Sequence, residues 1–124
     1  MRFTPQAPCV QIVVPARNEQ ESIAACLESL AAQQGIEFQI TVVDDGSTDQ
    51  TSAIAKRFPK VRVIAATEPG QGVSGKCNAL MIGARSAKAK WLLFTDADTV
   101  HSPGSLAAAV REAEESNLDL LSWS

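Results

Sequence analysis

The sequence predicts an α/β fold, a parallel sheet with helices on both faces, and two patterns carry that expectation. Five short runs rich in apolar and β-branched residues alternate with four stretches of helical periodicity. Three of the first four runs end in a polar cluster, and in open parallel sheets the carboxyl ends of the strands are where ligands bind.

The 124 residues suffice for one compact domain with a true core and not for two of ordinary size. A hydrophobic share of 45%, a charged share of 20% and a mean hydropathy near zero belong to a water-soluble globular chain. The net charge of -3 argues against nucleic acid as a partner, because a phosphate backbone needs a basic surface. Cys9, Cys26 and Cys77 stand too far apart for a disulfide framework or a zinc site. The first ten residues lack the apolar stretch of a signal peptide, and no run is long enough to span a bilayer, so the expected location is the cytoplasm. Membrane association is expected only through segments that this chain does not contain.

The expected strands cover residues 10–15, 38–44, 61–65, 91–95 and 118–122. Between the first two, Ile23, Cys26, Leu27, Leu30 and Ala31 make one helical stripe, and Asn18 with Glu21 has capping-box spacing. A second helix is expected after Ser47, with Gln50 at the box position, burying Ile54, Ala55 and Phe58 and ending at Pro59. The third carries Leu80, Met81 and Ala84 after a loop, residues 68–75, that its glycines and proline keep irregular. For the fourth, Ser102 is the expected N-cap and Pro103 the first helical residue, with Leu106, Ala109, Val110 and Ala113 on one face. The last strand runs to the chain end with nothing after it, so the chain reads as cut inside a larger fold. An unpaired apolar sheet edge left by such a cut would make the piece sticky.

Asp96 and Asp98 are two apart, so at the end of an extended segment both carboxylates point to one side, with only Ala97 between them. Paired hard oxygens suit magnesium or manganese, which take one or two protein carboxylates and complete their shell from water and phosphate. So short a pattern alone reads more readily as an acidic turn, and it gains weight from its neighbours. Asp44 and Asp45 are adjacent and face opposite ways, so one can hold the turn while the other reaches a ligand. Gly46 then supplies an unusual backbone angle and Ser47 the next cap. Gly70, Gly72 and Gly75 precede Lys76 at a helix start, where amides and a point charge favour an anion, although the spacing is not that of a P-loop. Arg17 and Glu19 read either as ligand contacts or as an ion pair at a helix start. His101 lies just past the aspartates, within reach of a metal or phosphate, but nothing of ligand type surrounds it and a surface turn is the expectation. Trp91 and Trp123 read as core.

In order along the chain, Val-Val-Pro-Ala-Arg-Asn-Glu, Val-Asp-Asp-Gly-Ser-Thr-Asp, Gly-Lys and Thr-Asp-Ala-Asp resemble the family 2 inverting glycosyltransferases of GT-A fold, a Rossmann-like nucleotide-diphospho-sugar transferase architecture. The resemblance runs through essentially the whole chain, so residues 1–124 are expected to be the N-terminal, nucleotide-sugar-binding part of such a domain. Residues 74–80 and 95–103 further resemble the hopene-associated and carotenoid-modifying branch. The resemblance implies a UDP-sugar donor, with Pro15, Ala16 and Glu19 near the nucleoside, Asp45 at the base and Lys76 at the diphosphate. It also implies a magnesium or manganese ion on Asp98, assisted by Asp96, and transfer to a hydroxyl acceptor, lipids included. The carboxylate base that inversion requires would lie beyond residue 124. Two rivals stand beside this reading: a nucleotidyltransferase, which would carry a basic glycine-rich loop after its first strand, and a non-catalytic binding or interaction module.

Overall fold

The computed structural model describes residues 10–66, 78, 81, 82, 91–115 and 120–122, the last three by backbone alone. The elements follow in the order β1 (Val10–Ala16), α1 (Ile23–Ala31), β2 (Phe38–Asp44), α2 (Thr51–Ala55), β3 (Val61–Ala65), β4 (Trp91–Phe94), α3 (Ser105–Glu115) and β5 (Leu120–Ser122). All strand pairs are parallel, in the order β3-β2-β1-β4-β5. The expected strands are therefore all present, with β1 one residue longer and β4 one residue shorter than the pattern implied, and with residues 118 and 119 of the expected last strand outside the described residues.

Alternation along the strands sorts the core into two faces. Val10, Ile12 and Val14 of β1, Ile40 and Val42 of β2 and Leu93 of β4 pack with Ile23, Cys26, Leu27 and Leu30 of α1, Ala55 of α2 and Leu106, Val110 and Ala113 of α3. The predicted helical stripes thus face the core in all three helices, with Ala31, Ile54 and Ala109 half-buried and Phe58, also half-buried, lying past the end of α2. On the opposite face, Val13 and Val43 meet Phe94, Ala66 and Ile82. Here also lies a buried polar pair, in which the Gln11 side-chain amide donates to Thr41 Oγ1 at 2.7 Å. Of the third predicted helix only Asn78, Met81 and Ile82 are described, all helical. Met81 is 45% exposed, so it does not join the apolar face expected of it. Trp91 is core as expected, at 5% exposure, and Trp123 lies outside the described residues. Among the described residues no helix is long and apolar enough to cross a membrane.

None of the three predicted capping arrangements forms. Asn18 does not cap α1, whose first flanking residue is Ser22 with no side-chain cap bond. Instead Asn18 adopts φ 51°, a left-handed conformation that asparagine tolerates better than most residues, and its Oδ1 accepts the Thr48 amide at 2.8 Å. Ser47 does not cap α2 either. Its hydroxyl accepts the Asn18 amide at 2.9 Å, and the Thr51 amide bonds to Asp49 Oδ1 at 2.9 Å. α3 begins at Ser105 rather than Pro103, and the Leu106 amide is taken by Gln33 Oε1 at 2.9 Å, from the segment after α1. At α3 a side chain distant in sequence replaces the local cap and joins two elements, whereas at α2 the nearby Asp49 takes the amide while Asn18 and Ser47 bond the two loops together.

Candidate functional site

The sheet order reverses beside β1: the chain moves from β1 outward to β2 and β3, then crosses to β4 on the other side. The crevice of such a sheet opens at that switch point, beyond the carboxyl ends of β1 and β4. The ladder between these strands ends at the pair Val13↔Phe94, while β1 and β2 stay paired to Ala16↔Asp44. Val13 O accepts the Thr95 amide and Ala16 O accepts the Asp45 amide, so alternate residues of β1 face β4 and β2. Pro15 follows Val13 on the β4 side, where the ladder has ended, and a residue without an N–H costs no sheet bond there.

One wall of the crevice is built from the loops after β1 and β2, stitched together through backbone amides. Besides the Asn18 bonds, the Glu19 amide donates to Thr51 Oγ1 at 2.7 Å and the Gln20 amide to Asp49 Oδ2 at 3.2 Å. The Gln50 amide returns a bond to Gln20 Oε1 at 3.1 Å. Partial burial raises the Asp49 carboxyl, but the bonds from the Thr51 hydroxyl and amide and from the Gln20 amide outweigh it and hold the group below its ordinary value. Asp44 holds the turn, its Oδ1 accepting the Ser47 amide at 3.1 Å, and Gly46 takes φ 73°, where a side chain would be strained. Asp45 is left half-buried beside Ala16. The expected division of labour between the two aspartates is what the turn shows on the Asp44 side. Sequence reasoning had no signal for this stitching, because its partners lie about thirty residues apart.

Thr51 is fully buried, and its hydroxyl both accepts from Glu19 and donates to Asp49. Thr51→Val keeps the shape but orphans the Glu19 amide, so it should cost about 1–3 kcal/mol. Urea unfolding would measure it, and a loss within error of zero would show that water replaces the hydroxyl.

The other wall is the segment after β4. Ala97 is 2% exposed, while Asp96 and Asp98 on either side of it are exposed, so the two carboxylates share the outward side as expected of this spacing. Beneath them lies Cys26 of α1, whose thiol donates to Asp96 O at 3.6 Å. Burial, followed by the charges of Asp98, Glu19 and Asp96, pushes this thiol up to about 11, against the opposing Thr99 amide. Glu19, from the first wall, and the aspartate pair thus both act on the same thiol. Glu19 Oε2 accepts the Ser22 hydroxyl at 3.1 Å, and among the described residues no ion pair joins it to the exposed Arg17. Of the two readings of Arg17 and Glu19, the ion pair is therefore not what the structure forms.

His101 is not a surface turn residue. It is 7% exposed, its Nε2 shares a hydrogen bond with Thr95 Oγ1 at 2.7 Å, and its amide donates to Ser29 Oγ at 3.0 Å. Burial lowers the imidazole below its ordinary value, so the ring is neutral at neutral pH. Its burial was not legible because Ser29, which holds the His101 amide, lies 72 positions away. Lys76 and the glycines at 70, 72 and 75 lie outside the described residues. Among the described residues no group of three or more His, Cys, Asp and Glu side chains is gathered tightly enough to hold a metal by itself. A hard cation that takes one or two carboxylates and draws the rest of its shell from water and phosphate fits the exposed pair.

The raised thiol carries a pH consequence. A folded-state value above the unfolded one adds stability that is complete below pH 9 and is lost as pH rises toward 11. The chain has no tyrosine to titrate in that window. Stability measured from pH 8 to 11 should therefore fall more steeply for the wild type than for Cys26→Ala, and parallel curves would refute the shift.

Comparison with known proteins agrees with this geometry. Residues 11–122 match the family model described as Glycosyl transferase family 2. The chain is 32% identical over 125 residues to the succinoglycan biosynthesis protein ExoO of Rhizobium meliloti (strain 1021), across 94% of this chain and 35% of that protein. Among solved structures it is similar to S. aureus TarS 1-349 in complex with UDP, at TM-score 0.68 and 30% identity, over 86% of this chain and 32% of that one. It is also similar to the mannosyltransferase PcManGT from Pyrobaculum calidifontis in complex with GDP-Man and Mn2+, at TM-score 0.72 and 27% identity, over 87% of this chain and 33% of that one. The chain thus spans about a third of the length of these relatives. They give the hopene-associated and carotenoid-modifying branch no support, so the comparison stops at the family.

Proposed function

The chain belongs to glycosyl transferase family 2, and from that premise we propose that its crevice binds a nucleotide-diphosphate sugar, such as a UDP-sugar, for inverting transfer to a hydroxyl acceptor. One observation carries the reading: Asp96 and Asp98 stand exposed on one side of buried Ala97, just beyond the end of β4 and beside the switch point. Asp98, assisted by Asp96, would hold magnesium or manganese. The bound cation offsets charge growing on the leaving diphosphate. Lys76 adds a point charge to the same diphosphate. Pro15, Ala16 and Glu19 lie near the nucleoside, and Asp45 is at the base. The relatives bound to UDP and to GDP-Man with Mn2+ support the donor class and the metal. The acceptor, lipid or otherwise, and the base that deprotonates it are assigned to no residue of this chain.

Calorimetric titration of UDP into the chain, with manganese and again with chelator, tests the reading. Binding that requires manganese is the expected result. No binding by a cooperatively folded sample would overturn it in favour of a non-catalytic module.

A further inference from the structure

The two aspartates sit on a segment outside any helix or strand, between β4 and α3, yet a cation requires its carboxylates to be placed within a fraction of an ångström. The anchors of that segment are therefore part of the site. At its start, the Thr95 amide continues the sheet by donating to Val13 O at 3.1 Å. At its end, the Gln33 side-chain amide holds Ser102 O at 2.9 Å. Between these ends the backbone returns on itself, with the Thr99 amide donating to Asp96 O at 3.3 Å inside the turn and one side chain spanning its full width. The His101 ring bonds to Thr95 Oγ1 across six positions, with both residues buried. The His101 amide is in turn pinned by Ser29 Oγ, and the Ser29 hydroxyl itself donates to Cys26 O at 2.7 Å, so the closure is bolted to α1 directly beneath the aspartates.

We infer that His101 is a positioning residue for the carboxylates of Asp96 and Asp98, acting through its bond to Thr95 and not by touching metal or donor. The inference rests on the donor-site reading above. Its physical basis is that both carboxylates lie inside the loop that this bond closes, so opening the bond loosens the backbone that carries them, although the Thr99 amide and the Cys26 thiol still hold Asp96 O. Neither His101 nor Thr95 can be exchanged with water at low cost, because both side chains are buried.

The experiment compares UDP affinity in manganese and in chelator for the wild type, His101→Ala, His101→Gln and Thr95→Val. Amide hydrogen exchange over residues 96–99 is read in parallel. His101→Ala and Thr95→Val should each weaken manganese-dependent binding by about 10–100-fold, the usual cost of removing a group that orients metal ligands. Exchange at 96–99 should accelerate in both variants. His101→Gln, which can still bond the Thr95 hydroxyl, should recover most of the affinity. A residue needed only for packing would lower thermal stability in every variant while leaving the manganese-to-chelator ratio unchanged, and that result overturns the inference alone. Should His101→Ala fail to fold, the near-isosteric Thr95→Val decides by the same ratio. Absence of manganese-dependent binding by the folded wild type overturns the donor-site reading and this inference with it.

Discussion

Leu27→Ala should destabilise the chain by about 2–5 kcal/mol, the range for removing a buried leucine side chain where the surroundings close only partly over the space. Leu27 is fully buried in the middle of the α1 stripe, among Val10, Ile12 and Val14 of the central strand and Leu106 of α3. Little around it can relax, because sheet and helices meet it on several sides. A domain of this size has roughly 5–15 kcal/mol of total stability, so a single truncation removes a large share. In urea the midpoint should drop while the slope is unchanged, since the surface exposed on unfolding is nearly the same. A loss below about 1 kcal/mol would mean that α1 packs less tightly on the sheet than its burial indicates.

Asp98→Asn should weaken manganese-dependent UDP binding by at least about 100-fold, or roughly 2.7 kcal/mol, with less effect in chelator. Removing a group that only orients a metal ligand already costs up to about that much, and a coordinating carboxylate has more to lose. The substitution keeps the shape and one oxygen, and the side chain is exposed, so stability should barely change. That separation distinguishes lost chemistry from lost fold. An unaltered affinity would place the cation elsewhere, and Asp96 would be the next residue to change.

The parts of this molecule legible in its sequence are those governed by short-range periodicity. Alternation of two along β1 and near-fourfold spacing along α1 placed Ile12 and Leu27 on facing surfaces, because a side chain's face follows directly from its position in a regular element. The Asp96-Ala97-Asp98 geometry was legible for the same reason. Asn18, Ser47 and Ser102 misled, since local capping rules weigh only neighbours, and each of the three is bonded to a residue far along the chain. His101 was misplaced because nothing near it in sequence reveals that Thr95 bonds its ring while Ser29, far along the chain, holds its amide. What a sequence conceals here is the tertiary stitching of loops, and in this fold those loops are the site.

The position of β1 has a consequence for how the chain is made. As the middle strand of the order β3-β2-β1-β4-β5, it is a partner to both halves of the sheet, and it precedes them all. Val10 meets Phe38 on one side and Trp91 on the other. During synthesis, then, β1 can acquire β2 and α1 while β4 is still inside the ribosome. Its second edge waits uncovered until the aspartate segment arrives. The nucleoside wall is assembled early and the metal wall late, so a ribosome pausing between them would leave the β1 edge open on the nascent chain, in addition to the outer edge of β3.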